Sequence, residues 1–273
     1  MTILPTLLLL TSLAGQLDES FQQDFGTDLH PLVGLVGDEA STLARRQATG
    51  LLVSWDGQQE SSEDVAVEMK LRLHGDFEIT LDYELVSVTK PAQGLGAGVK
   101  IWCQIGAGNE APERITLGHL QGAEHDNALT TILARPNSKT QHDLEWFNAT
   151  SKTGKLRLAR TGSTLQYQVA EGDTESFRVL RAIEVTNRDV FALRFVASRH
   201  GATTPLSVKL CNADIRADYL LGPGETRVAK RGSRWVVVYA LLLMVLGGGG
   251  AAGWVFRESL RKAFRTPPVT GAG

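Results

Sequence analysis

Two short stretches carry the side chains most able to do chemistry. The first is HDLEWFN, His142 to Asn148. Side chains of an extended strand alternate between faces, so Asp143 and Glu145 share one face while Trp146 takes the other. A carboxylate pair about 5–5.5 Å apart is what a retaining glycoside hydrolase uses, one as nucleophile and one as acid/base. The second is VKIWCQI, where Val99, Ile101, Cys103 and Ile105 alternate with Lys100, Trp102 and Gln104. On this parity the cysteine enters the core and the polar face carries Lys100, Trp102 and Gln104. An indole beside an amine and an amide can stack on a sugar ring, which makes these three the expected ligand contacts. The plainer alternative is a Trp102 packed beneath a loop or beneath the Gly-rich segment preceding it.

Other chemistries lack their residues. His119 and His125 bracket a short turn and His142 precedes Asp143, yet no His-x-x-x-His spacing occurs. No EF-hand loop and no Gly-x-Ser-x-Gly elbow is present. No metal site, cofactor or catalytic residue is therefore expected, and the chain is expected not to be an enzyme. A glycoside hydrolase-like activity at Asp143 and Glu145 stands as the alternative. Of the two cysteines, Cys103 falls on its strand's apolar parity, whereas Cys211 falls with Ser207 and Lys209. Such parities oppose a bridge, and a β-bulge near Asn212 would permit one, so the disulfide is undecided.

The 273 residues carry a formal charge of -2, which provides no basic field for nucleic acid. Residues 1–15 have the apolar run and small residues of a signal peptide, with no preceding cation. Trp235 to Phe256 contains no charged residue and is long enough, at about 1.5 Å per residue, to span a bilayer as a helix. Small residues four apart, from Gly247 to Gly253, suit helix–helix self-association or a plain anchor equally. Basic residues flank the span on both sides, so export decides the topology. The expected plan is a signal peptide (1–15), a main domain (16–222), a basic linker (223–234), a transmembrane helix (235–256) and a short basic tail (257–273). That plan makes the lipid membrane a partner and locates the large domain outside a single-pass cell membrane, facing envelope glycans or proteins.

Within the main domain the dominant hydrophobic period is two. VAVEMKLRLHG and FEITLDYEL alternate cleanly, and the intervening His-Gly-Asp predicts a hairpin turn. Further alternating runs include RITLGHL, LTTILAR, HDLEWFN, GKLRLAR, TLQYQVA, FALRFVAS and LSVKLCNADI, separated by turn-forming clusters. Many short strands with one apolar face each must bury those faces against a second sheet. The expected fold is all-β, a two-sheet antiparallel jelly-roll sandwich plus the C-terminal transmembrane helix. Helix is minor, with DEASTLARRQ a short candidate.

The unit GKLRLARTGSTLQYQVAEGDTESFRVLR resembles the strand–turn–strand core of laminin-G-like and concanavalin A-like jelly rolls. LDESFQQDF resembles their early edge strand, and GDFEITLDYELVSV a central strand. Together with KPAQGLGAGVKIW, these motifs resemble an uncharacterised planctomycete domain family over residues 17–217. That resemblance implies the jelly-roll fold and no established activity. Hydrolases of the fold carry a Glu-x-Asp-x-x-Glu pattern; here Asn148 stands where the third carboxylate belongs. Non-catalytic recognition of a glycan or protein, or a structural role at the envelope, is the function expected.

Overall fold

The computed structural model describes residues 17–56, 64–106, 112–135, 142–200 and 204–225. In chain order the first elements are β1 (Glu19–Asp24), β2 (Val33–Val36), α1 (Ala40–Leu43), β3 (Ala44–Gln47), β4 (Gly50–Trp55) and β5 (Val65–Met69). There follow β6 (Arg72–Val88), β7 (Ala97–Ile105), β8 (Glu113–Gln121), β9 (Ala128–Ala134) and β10 (Asp143–Asn148). The last are β11 (Thr153–Thr161), β12 (Thr164–Glu171), β13 (Arg178–Glu184), β14 (Val190–Ser198) and β15 (Leu206–Leu221).

Every strand pairing is antiparallel. One sheet runs β10-β9-β8-β7-β14-β5-β2. The other runs β13-β12-β11-β6-β15, with the far edge of β15 shared between β4 and β1 and with β3 beyond β4. The sheets join at a corner, where Val190 of β14 pairs with Leu73 of β6. Apolar residues of one parity from each strand meet between them. Ile101, Cys103, Leu117, Leu193 and Phe195 come from the first sheet, and Phe77, Ile79, Leu81, Leu158 and Tyr167 from the second, all essentially inaccessible to solvent. The alternation in the sequence thus becomes two inner faces and one core.

The sandwich agrees with the all-β expectation, but three local expectations are corrected. His74, Gly75 and Asp76 do not make a turn: β6 runs straight through them. Gly75 has φ +73, and a Cβ there would lie 2.2 Å from Asp218 Oδ2. The Asp76 backbone N–H donates to that same oxygen at 3.0 Å, opposite a register shift in β15. The glycine therefore marks a bulge, and the chain instead changes sheets at Lys70–Leu71, between β5 and β6. The helix expected from DEASTLARRQ is only the single turn α1, after which Ala44 continues as strand.

The third correction concerns the membrane. A bilayer span needs about 20 apolar helical residues, and α1 has four. Among the described residues no helix is long and apolar enough to cross a membrane. Among the described residues the fold class is corrected to the sandwich, with no transmembrane helix. The described residues therefore give no support to the expected anchor, lipid partner or single-pass membrane localisation. The signal peptide (1–15), the span at 235–256, the Gly247–Gly253 contact and the tail lie outside the described residues. All described residues belong to one compact unit within 1–225.

Candidate functional site

The outer face of the first sheet is organised in straight rows. Glu68 of β5 pairs with Arg194 of β14, which pairs with Trp102 of β7. Trp102 pairs with Thr116 of β8, Thr116 with Ile132 of β9, and Ile132 with Leu144 of β10. Gly34 of β2 closes the row beside Glu68. Trp102, half-buried, thus stands at the middle of a continuous seven-strand surface. The Arg194 guanidinium lies 5.5 Å from its ring centroid, within cation–π range. Arg194 is itself fixed by Glu68 Oε1, receiving Nε at 2.9 Å and Nη2 at 2.7 Å.

The neighbouring row contains Lys100, next to Val196 on one side and Gly118 on the other. Its ammonium donates to Asp64 at 2.9 Å and to Ser198 at 3.0 Å, and only 12% of the side chain is exposed. Lys100 therefore supports the face more than it offers a free charge. Burial, followed by this ammonium, pushes the nearby His200 down to about 4. Gln104 lies in the row on the other side of Trp102, paired with Arg114 and Ala192, and is half-exposed. The three residues expected as ligand contacts do share one face.

Trp146 of β10 belongs to that face as well, in the Lys100 row, through Thr130 and Gly118. His125 stacks on it at 4.4 Å. Three strand spacings separate the strands of Trp102 and Trp146, roughly 14 Å. Sequence parity places Arg194, Glu68 and Trp146 on outward positions of their strands. Nothing in the linear pattern shows that Arg194 and Glu68 complete the row of Trp102, because strand order and register come from pairing.

Asp143 and Glu145 behave otherwise. They share a face, as expected, but it is the inner one, at the seam between the edge strands β10 and β13. Arg181 of β13, largely buried, binds both: Nη2 pairs with Asp143, and Nε lies 3.2 Å from Glu145 Oε1. One guanidinium thus engages two carboxylates that would each need access to a sugar. The shared guanidinium ties the two carboxylates, each about half exposed, into one ion-pair cluster at the edge of the sandwich. Among the described residues no group of three His, Cys, Asp or Glu side chains is placed to hold a metal ion.

Two further polar features are internal. His119 of β8 is inaccessible and bridges the sheets, with Nδ1 2.6 Å from the Tyr83 hydroxyl and Nε2 2.8 Å from Asn127 Oδ1. Burial lowers its proton affinity, so the neutral ring accepts from Tyr83 and donates to Asn127. Cys103 and Cys211 are free thiols. Burial pushes the Cys103 thiol up to about 12, leaving it inert as a nucleophile at neutral pH. A bulge does occur at Cys211, between Leu210 and Asn212, but its strand belongs to the opposite sheet.

A family model described as "Protein of unknown function (DUF1583) C domain" matches residues 5–233. Among curated proteins none matches this sequence. Solved structures of similar layout include a legume lectin-like domain from Entamoeba histolytica, with TM-score 0.47, 11% identity, and 70% of this chain and 90% of that one covered. The VIP36 exoplasmic/lumenal domain bound to Ca2+ and Man2 gives 0.47, 11%, 79% and 92%. A Bacillus licheniformis β-glucanase gives 0.46, 9%, 74% and 99%. The described domain is an all-β antiparallel sandwich within a family of unknown function.

Proposed function

The chain belongs to this family of unknown function, and from the row around Trp102 we propose that it is a non-catalytic glycan-recognition domain. The observation that carries the reading is a half-buried indole at the centre of a seven-strand outer face, positioned by an Arg194–Glu68 pair. An indole presents a flat apolar surface to the C–H face of a pyranose, and the polar groups around it can meet the hydroxyls. Trp146, roughly 14 Å away across three strand spacings, gives the face the length of a short oligosaccharide. Pairing of Asp143 and Glu145 with Arg181 supports the non-catalytic part. The planctomycete attribution rests on the sequence motifs alone.

The test is a saccharide array probed with the full chain, followed by calorimetry on the best binder. Trp102→Ala should lower affinity at least about tenfold, as expected of a central aromatic contact. Absence of any saccharide binding, or an affinity that Trp102→Ala leaves unchanged, overturns the reading.

A further inference from the structure

The Trp102 row continues into a cleft of about 350 Å³ whose walls include Glu68, Arg194, Lys70, Arg72, Phe191 and Pro223. The strand change at Lys70–Leu71 creates this cleft, because it turns Arg72 away from the first sheet and opens the end of β14. Phe191 is 43% exposed, unusual for a phenylalanine, and the Arg72 guanidinium lies 4.8 Å from its ring centroid. A guanidinium resting on an aromatic face is oriented without a carboxylate and keeps its N–H edge available for an oxyanion. Lys70 extends over β2: a Cβ added to Gly34 would sit 3.3 Å from Lys70 Cε. Its ammonium thus lies on the same outer surface as Glu68 and Arg194.

Among the described residues neither Lys70 nor Arg72 has a carboxylate at ion-pair distance, while Glu68 is engaged by Arg194. The cleft therefore brings three cations against one carboxylate, in a chain whose formal charge is -2. A local field opposite to that of the whole molecule concentrates anions there. Because Arg194 touches both the cleft and the Trp102 ring, one ligand can occupy both.

We propose that this cleft is an anion subsite of the Trp102 face, and that the glycan recognised there is acidic, bearing a uronate carboxylate or a sulfate ester. The inference rests on the glycan-recognition reading and adds the ligand's charge. Phe191 and Trp102 offer apolar stacking to successive rings, which favours a saccharide over an acidic peptide as carrier of the anion.

Binding of the full chain is measured with two matched pairs: oligogalacturonate against its methyl ester, and a sulfated galactan oligosaccharide against its desulfated form. At least one acidic member should bind about tenfold tighter than its neutral partner, the effect of a charge-assisted hydrogen bond. That preference should collapse in the Lys70→Gln/Arg72→Gln double variant and shrink with added salt. Both side chains are exposed, so the variant keeps its fold, checked by unchanged Tm. If acidic and neutral members bind alike while Trp102→Ala weakens both, the anion subsite is wrong and glycan recognition stands. If no member of either pair binds and the saccharide array is also blank, the glycan reading itself falls. A preference untouched by the double variant puts the anion elsewhere. Equally tight, variant-sensitive binding of polyglutamate replaces the saccharide with an acidic peptide.

Discussion

The outer faces of the two sheets are built from the same kind of alternating strand, yet their charges are matched to different degrees. On the second sheet, β6 presents Glu78, Thr80, Asp82 and Glu84, and each cation beside them is matched. Lys155 lies 2.8 Å from Glu175, and Arg216 lies 2.8 Å from Asp214, while Lys209 pairs with Glu84. Arg157 donates to Thr80 at 2.9 Å and is covered by the Phe177 ring at 3.7 Å. On the first sheet the corresponding layer holds Trp102 under Arg194, and past it the cations Lys70 and Arg72. A face whose charges are internally matched and capped needs no partner. Incompletely matched polar groups beside exposed aromatic surface mark a place where a ligand can complete the set.

The contrast can be broken by substitutions that separate stability from binding. The largest effect on stability should come from the interior link common to both faces. Tyr83→Phe leaves His119 Nδ1 buried without its donor and should destabilise the domain by about 1–3 kcal/mol, read by urea unfolding. It should not alter the acidic-over-neutral preference of the folded protein. Next, Arg157→Ala strips the closed face of the Phe177 stack and the Thr80 bond. A loss of about 1–2 kcal/mol is expected, with saccharide affinity unchanged. Trp102→Ala should do the reverse, and if Arg157→Ala also lowers affinity the two faces are not functionally distinct.

Two smaller effects depend on pH. Burial lowers the His119 value from its ordinary 6.5, so the folded chain favours the neutral ring. Its contribution is complete above 6.5 and is lost as pH falls through the lowered folded value, because the unfolded chain then binds the extra proton. Unfolding midpoints should decline on that acid limb, and His119→Gln should flatten it. Asp82, on the closed face, has its value raised above 3.8 by burial against the pull of Lys155. The unfolded carboxyl ionises first as pH rises, so this group disfavours the folded state once pH exceeds its folded value. Asp82→Asn should raise the midpoint slightly at pH 7 and lose that advantage in acid. A lower midpoint at pH 7 would show that the carboxylate is needed by the closed face.

The legible and illegible parts of the molecule divide along particular residues. Alternation in VKIWCQI correctly separated Cys103, in the core, from Trp102, on the outer face. It also grouped Asp143 with Glu145, but parity has no sign, and an edge strand with charges on one face can turn that face inward. Arg181, thirty-six residues beyond Glu145, made inward the favourable choice by offering one cation to both. His-Gly-Asp has the composition of a turn, yet Asp218 on the neighbouring strand supplies the acceptor that keeps the bulge inside β6. Local composition was the same in either case; the partner was distant.

By itself the sequence determined the class of structure and the two-sided character of most strands. A period of two allows each side chain only two directions, and the apolar set must choose water or core. The tertiary structure decided which strands adjoin and in what register. It thereby brought Arg194 over Trp102, directed Lys70 and Arg72 to the same cleft, and gave Arg181 to the two carboxylates. Arg194 meets Trp102 and Glu68 through backbone pairing of segments up to more than a hundred residues apart. Arg181 instead meets its carboxylates across the seam of two sheets, and neither the ladder nor the packing is written in the local pattern.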